Sequence, residues 1–317
     1  MEISFTHYVN KKIRDQFSKY DDSVIYGQNV VAGSRISGLG SQLENISGVR
    51  AINSTNSENS LMGFGLGLAL SAIPTLFLMK QHDFALLGID QLTNTTNVLR
   101  NDRFLAPFII LMVVVDSGYE GPQASLNSLD EFSSLTRAPV HYLSTKEAID
   151  VAFKKSESPG LHFLALSQKN MKKSITNSLI VQAEYSNSIH YRKITKFRED
   201  SDIAIIFFGV EISLPEEIMN DPRILEINVD LFVVTELSKG NEISLLMSKL
   251  LHHQKIIVID TGKSDVHFSS ELAWDLSKFG KNVHKFQRQS SNKWSQVSDD
   301  ALEFSTDDII DLIRRSD

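Results

Sequence analysis

The 317-residue chain contains no cysteine. That absence excludes a disulfide framework, a zinc thiolate centre and a cysteine nucleophile. It is compatible with a reducing compartment. The N-terminus, Met1-Glu2-Ile3-Ser4-Phe5-Thr6-His7, lacks the basic start and apolar run of a secretory signal, so a cytoplasmic location is expected. Excess positive charge is also missing. Lys plus Arg is 32 against 39 for Asp plus Glu, a formal charge of -7, which supplies no general attraction for nucleic acid or anionic lipid. Neither a phosphate loop of the glycine-lysine kind nor a GxSxG nucleophile elbow occurs. Nine histidines without ligand spacing argue against a metal held by this chain alone, and the adjacent His252 and His253 would splay apart on any regular element.

What is present is an ordinary globular balance, with hydrophobic residues at 42% and charged residues at 22%. The length favours two domains. One uncharged stretch, residues 61–79, reaches the threshold for a membrane span. It holds Gly63, Gly65, Gly67 and Pro74, however, and its halves differ. Residues 61–72 are small and apolar, as in a helix packed closely on its neighbours, whereas Thr75-Leu76-Phe77-Leu78-Met79 is a buried strand. A helix, a proline turn and a strand are expected here, not a membrane segment. The alternating glycines belong to the helix and do not make a phosphate cradle.

The remainder alternates in the same way. Strands are expected at residues 23–27, 108–115, 161–166, 203–209, 229–234 and 255–260, and helices at 84–99, 126–135, 146–155, 270–279 and 306–315. Strands alternating with helices imply parallel sheets covered on both faces. From about Tyr185 the pattern lapses into a polar, basic stretch with Arg192, Lys193, Lys196 and Arg198, which reads as a surface linker. The expected fold class is α/β with two doubly wound domains, 1–185 and 203–317, joined by a linker at 186–202.

The informative stretch is Asn53-Ser54-Thr55-Asn56-Ser57-Glu58-Asn59-Ser60, directly before the small-residue helix. Alone it is a capping sequence: Asn56 or Ser57 can accept from free backbone amides, and Glu58 suits the positive end of the helix. After it come the glycine-alanine helix, the proline-led strand, His82-Asp83-Phe84 and Ile89-Asp90-Gln91-Leu92-Thr93-Asn94. Further on stand Gly121-Pro122-Gln123, Ser144-Thr145-Lys146-Glu147-Ala148, and Lys196-Phe197-Arg198-Glu199-Asp200-Ser201-Asp202-Ile203-Ala204. In this order the chain resembles the beta subunits of thiamine-diphosphate-dependent 2-oxo acid dehydrogenases, and equally the C-terminal half of transketolases, over nearly its whole length.

The resemblance implies a pyrimidine-binding domain followed by a transketolase C-terminal domain. It implies that Glu58 hydrogen-bonds the aminopyrimidine of thiamine diphosphate, activating it for attack on a substrate carbonyl, with Ser57 beside it and Phe84 stacked on the ring. A carboxylate suits this work because burial can raise its pKa; the competing reading of Phe84 is a core side chain on a helix face. Glu120 falls where transketolases hold a carboxylate that reads a donor hydroxyl, and its alternative is a solvated loop residue. The family usually carries a histidine directly after the Gly-Pro-Gln-like turn. Here Ala124 stands there, which weakens transfer to a lipoyl arm, and His82 is the candidate replacement. Position 81 is glutamine where an aromatic is common. No Gly-Asp-Gly occurs in the chain, so by analogy a separate alpha-like subunit holds the diphosphate and Mg2+, in a heterotetramer. The implied function is the beta-like component of a two-chain enzyme that makes or breaks a carbon–carbon bond next to the carbonyl of a 2-oxo acid or ketose, as a split transketolase, decarboxylase or dehydrogenase component. The alternative, motivated by Ala124 and Gln81, is a non-catalytic scaffolding or regulatory subunit.

Overall fold

The computed structural model describes residues 3–99, 103–116, 121, 123–175, 201–224, 227–237, 241–264, 266–288 and 304–315. The first half runs through helix α1 (Phe5–Phe17), strands β1 (Ser23–Gly27) and β2 (Val49–Asn53), helix α2 (Glu58–Leu70) and strand β3 (Thr75–Met79). A 3₁₀ turn (His82–Gly88), a π-helical turn (Gln91–Thr95) and α3 (Thr96–Leu99) follow. Then come β4 (Pro107–Val114), α4 (Leu129–Thr136), β5 (Val140–Tyr142), α5 (Lys146–Lys155) and β6 (Gly160–Ser167). The second half comprises β7 (Ile203–Phe208), α6 (Ser213–Asn220), β8 (Val229–Val234), β9 (Glu236–Leu237), α7 (Asn241–Leu250), β10 (Lys255–Asp260), α8 (Phe268–Lys278), β11 (Asn282–Gln287) and α9 (Thr306–Arg314).

The strands form a seven-stranded sheet in the order β2-β1-β3-β4-β6-β5-β9 and a four-stranded sheet in the order β11-β10-β7-β8. All neighbours are parallel except β5 and β9, where Val140 faces Leu237 and His141 faces Glu236. This is the expected α/β class with two doubly wound sheets. The expected linker, 186–202, lies outside the described residues up to position 200.

Side-chain alternation explains why the central strands are apolar without a period. In β4, Ile109, Leu111 and Val113 enter a core with Val9, Ile13 and Phe17 of α1, while Phe108, Ile110 and Met112 enter a second core with Met62 and Leu66 of α2. Both faces of the strand are therefore buried, as parallel sheets require. The second core continues into the four-stranded sheet through Ala204, Ile206, Phe208 and Phe232, so one apolar layer joins the halves. The other face of that sheet carries a third core, where Ile309, Ile310 and Ile313 of α9 pack. Ser305 and Asp308 close a capping box at the start of α9.

The small-residue helix is a packing device, as its composition suggested. A Cβ on Gly65 would lie 2.3 Å from the Phe108 ring and 2.5 Å from Tyr26 Oη. Only glycine lets α2 approach the sheet so closely. The expected helix at 84–99 is instead broken into its 3₁₀, π and α turns. Thr93 Oγ1 donates to Ile89 O at 2.7 Å and Thr96 Oγ1 to Gln91 O at 3.2 Å. Such side-chain competition for carbonyls loosens regular helix. Among the described residues no helix is long and apolar enough to cross a membrane.

Candidate functional site

In the first sheet the chain leaves β1 for β2 on one side, then returns past it to β3 on the other. This reversal makes a topological switch point at the carboxyl ends of β1 and β3, and the crevice outside a switch point is the place where open α/β sheets take ligands. Two side chains meet there. Gln28 follows directly on Gly27, the last residue of β1, and Glu58 is the first residue of α2. The Gln28 Nε2 amide donates to Glu58 Oε1 at 3.1 Å. Glu58 is only 6% exposed. Its other oxygen, Oε2, has no hydrogen-bond partner among the described residues. A buried carboxylate on the positive end of a helix, held by one oxygen with the other open, can receive a donor from a ligand.

Ser57 occupies the N-cap position but makes no capping bond; its hydroxyl donates to Ser60 Oγ at 3.0 Å. Nearby, Ser54 N–H donates to Gly27 O at 2.9 Å, while the buried Ser54 hydroxyl has no partner among the described residues. Phe84 is half-buried against the core beside α2. Glu120 lies outside the described residues.

His82 sits in the core rather than in the crevice. It is 0% exposed, with Nδ1 3.1 Å from Met112 Sδ, Nε2 3.2 Å from Ser128 Oγ and its ring edge-on to Phe132. Burial pushes its pKa down to about 4, against a weaker opposing pull from Asp83, so the imidazole is neutral at neutral pH. Its neighbour Asp83 has the more evident task. The Asp83 carboxylate accepts from Ser125 N–H at 3.0 Å, Ser125 Oγ at 3.3 Å and Leu126 N–H at 3.2 Å. From the other half, Lys263 Nζ donates to Ser125 O at 2.7 Å and its backbone N–H to Asn127 O at 2.8 Å. The segment that carries Ala124 is thus clamped from both sides. Arg288 adds a buried strut, its Nε donating to Thr261 O at 3.0 Å and Nη2 to Asp116 O at 2.5 Å.

Gln28 and Asp83 were not among the candidates from sequence. Gln28 had one usable signal, its place immediately after a strand-ending glycine. Asp83 stood inside a quoted motif, yet nothing local marks it as the anchor of a loop over forty positions away.

A solved structure described as "Split gene transketolase, inactive beta4 tetramer" superposes with a TM-score of 0.64, covering 99% of this chain and 98% of that one, so the fold is transketolase-like. The two share 13% sequence identity, so the likeness is one of fold. No family model matches the chain, and no curated protein does.

Proposed function

We propose that the chain is the beta-like half of a two-chain thiamine-diphosphate enzyme acting on the carbon–carbon bond next to the carbonyl of a 2-oxo acid or ketose. The observation that carries this reading is Glu58, buried at the switch-point crevice with Oε1 taken by Gln28 and Oε2 open. These residues fit the pyrimidine end of the cofactor. Glu58 would hold a ring nitrogen, with Gln28 fixing the carboxylate's rotamer; the half-buried face of Phe84 would stack on the ring, and the orphaned Ser54 hydroxyl is a further polar contact. When bound, thiamine diphosphate supplies a nucleophilic carbon and an electron sink. What this chain contributes is orientation, exclusion of water and a hydrogen-bonding carboxyl group at Glu58.

The other end of the cofactor does not fit this chain. The sequence lacks Gly-Asp-Gly, and among the described residues no three His, Asp or Glu side chains converge as a metal-binding set. A partner chain would therefore hold the diphosphate and Mg2+ through hard oxygen ligands. Apolar surface near the crevice suits such a partner: Phe64 on α2 is 45% exposed, and Leu86 and Leu87 on the following turn are 48% and 55% exposed. The assembly proposed is a heterotetramer. With Ala124 on the clamped loop and His82 enclosed, this chain offers no proton shuttle at that position, which favours a ligase, decarboxylase or split-transketolase reaction over lipoyl transfer.

The test is calorimetric titration with thiamine diphosphate and magnesium of the chain co-expressed with a partner bearing Gly-Asp-Gly. Saturable heat is expected. No heat from a folded complex would favour the second reading, a scaffolding subunit, for which Ala124 and Gln81 are the specific observations.

A further inference from the structure

The four-stranded sheet has a switch point of its own, between β7 and β10, and a second cluster of ionisable groups gathers near it. Asp260 ends β10. Its carboxylate accepts from Gly262 N–H at 2.9 Å and from the Ser269 hydroxyl, and lies 3.1 Å from His267 Nδ1 in an ion contact whose angle falls short of a hydrogen bond. This fixes the imidazole just ahead of α8. The first amide of that helix, Phe268 N–H, donates across the molecule to Asp130 Oδ1 on α4 at 2.9 Å.

Between α4 and the start of α8 lies a cavity of about 260 Å³. Its walls include Asp130, Glu131, Glu271 and His267 on the polar side and Leu135 and Val266 on the apolar side. Asp130 is 6% exposed and His267 4% exposed. Even so, Asp130 Oδ2 and His267 Nε2 have no hydrogen-bond partner among the described residues, and neither is a fully enclosed atom. Both residues line the cavity. Buried polar atoms ordinarily find partners, and here the space that would supply them is the cavity. Leu135 and Val266 are 52% and 72% exposed, an apolar wall without a cover.

We propose that this cavity is a binding site for a small organic ammonium with an apolar body, distinct from the crevice at Glu58. Asp130, Glu131 and Glu271 on the wall, with Asp260 behind them, outnumber His267 and the nearby Lys285, so a cation is selected and anions are repelled. Against burial, which lowers it, the Asp260 contact and the Asp130 charge raise the His267 pKa, so the imidazole favours its protonated form and the acceptors for the ammonium are carboxylates. Asp130 Oδ2 accepts one N–H and Glu271 a second. The hydrocarbon lies on Leu135 and Val266, and the size suits a small ligand rather than a nucleotide. Because α4 follows the loop pinned by Asp83, an occupant also ties that loop to α8.

The experiment uses the full chain at pH 8 with 3-methylbutylammonium as probe, 3-methylbutan-1-ol as neutral control and 4-methylpentanoate as charge-reversed control. Calorimetry is expected to give saturable binding of the ammonium, about ten-fold or more tighter than the alcohol, and none of the carboxylate. The His267 ring resonances are expected to shift at saturation. Glu271 is exposed, so Glu271→Lys should fold normally and weaken the ammonium by about ten-fold or more. The proposal is overturned by unsaturable binding, by alcohol or carboxylate binding as tightly as the ammonium, by unmoved His267 resonances, or by unchanged affinity in a folded Glu271→Lys chain.

Discussion

Gln28 and Glu58 stand 30 positions apart, and their contact exists because β1 ends and α2 begins at the same crevice. Replacing Gln28 by Leu keeps the volume and removes the donor, so the carboxylate loses its fixed rotamer. In the proposed two-chain assembly we expect turnover to fall by roughly ten- to a hundred-fold, with assembly intact; unchanged steady-state kinetics would show that Gln28 does not position the acid. A second residue-scale prediction concerns pH. Burial first, and then the nearby Asp260 charge, raise the Asp130 pKa to about 7. Its folded value thus exceeds the unfolded value of roughly 4, so the folded state holds the proton more tightly. The associated stability is complete below pH 4 and is lost as the pH rises through 7. Asp130→Asn keeps an acceptor for Phe268 N–H and abolishes this loss. Its melting temperature relative to the parent should therefore climb between pH 4 and pH 8; a flat difference would contradict the assignment. Of these residues, Glu58 was legible from its place at a helix start. Its partner Gln28 was not, and neither was the meeting of Asp130 with His267, because the pairings join distant positions that only the folded topology brings together.

At the scale of elements, the strands buried on both faces were the readable ones. β4 and β7 are continuous apolar runs, and β10 is apolar from Ile256 to Ile259, because helices cover each side. The edge strands β2 and β11 leave no such run: β2 is Val-Arg-Ala-Ile-Asn, largely open to solvent, and β11 is Asn-Val-His-Lys-Phe-Gln, mostly half-buried. Helix α1 was overlooked although its signal was present, with Phe5, Val9, Ile13 and Phe17 four apart and all buried. The helix expected at 84–99 is broken for a different reason, since Thr93 and Thr96 bond backbone carbonyls and loosen the turns. For α2, the close approach at Gly65 gives a direct prediction. Gly65→Leu would force the helix off Phe108 and Tyr26, and unfolding in urea should show a loss of about 1–3 kcal/mol or more from overpacking. A variant as stable as the parent would mean that α2 has room to spare.

Across the whole molecule the halves are bound by more than a connecting chain. One apolar layer runs between the sheets, and β9 from the second half extends the first sheet beside β5. At that junction Glu236 lies 3.3 Å from His141 Nδ1 and 2.5 Å from Lys155 Nζ. Burial alone would raise the Glu236 pKa, but His141 and Lys155 together hold it down to about 2. Glu236→Ala leaves a buried cationic contact without its acid, so a destabilisation of about 3–5 kcal/mol is expected in denaturant unfolding, and a neutral effect would show the junction to be dispensable. Alternating strands and helices announced two wound sheets, but this exchange of a two-residue strand was invisible beforehand, because Glu236 and Leu237 carry no local strand pattern.

The proposed role of Glu58, activating a cofactor shared with a partner chain, is tested by Glu58→Gln in the co-expressed complex, with cofactor-dependent turnover measured beside sedimentation. A complex of unchanged size whose turnover falls by roughly a hundred-fold or more is expected; full activity in that complex would remove Glu58 from the mechanism.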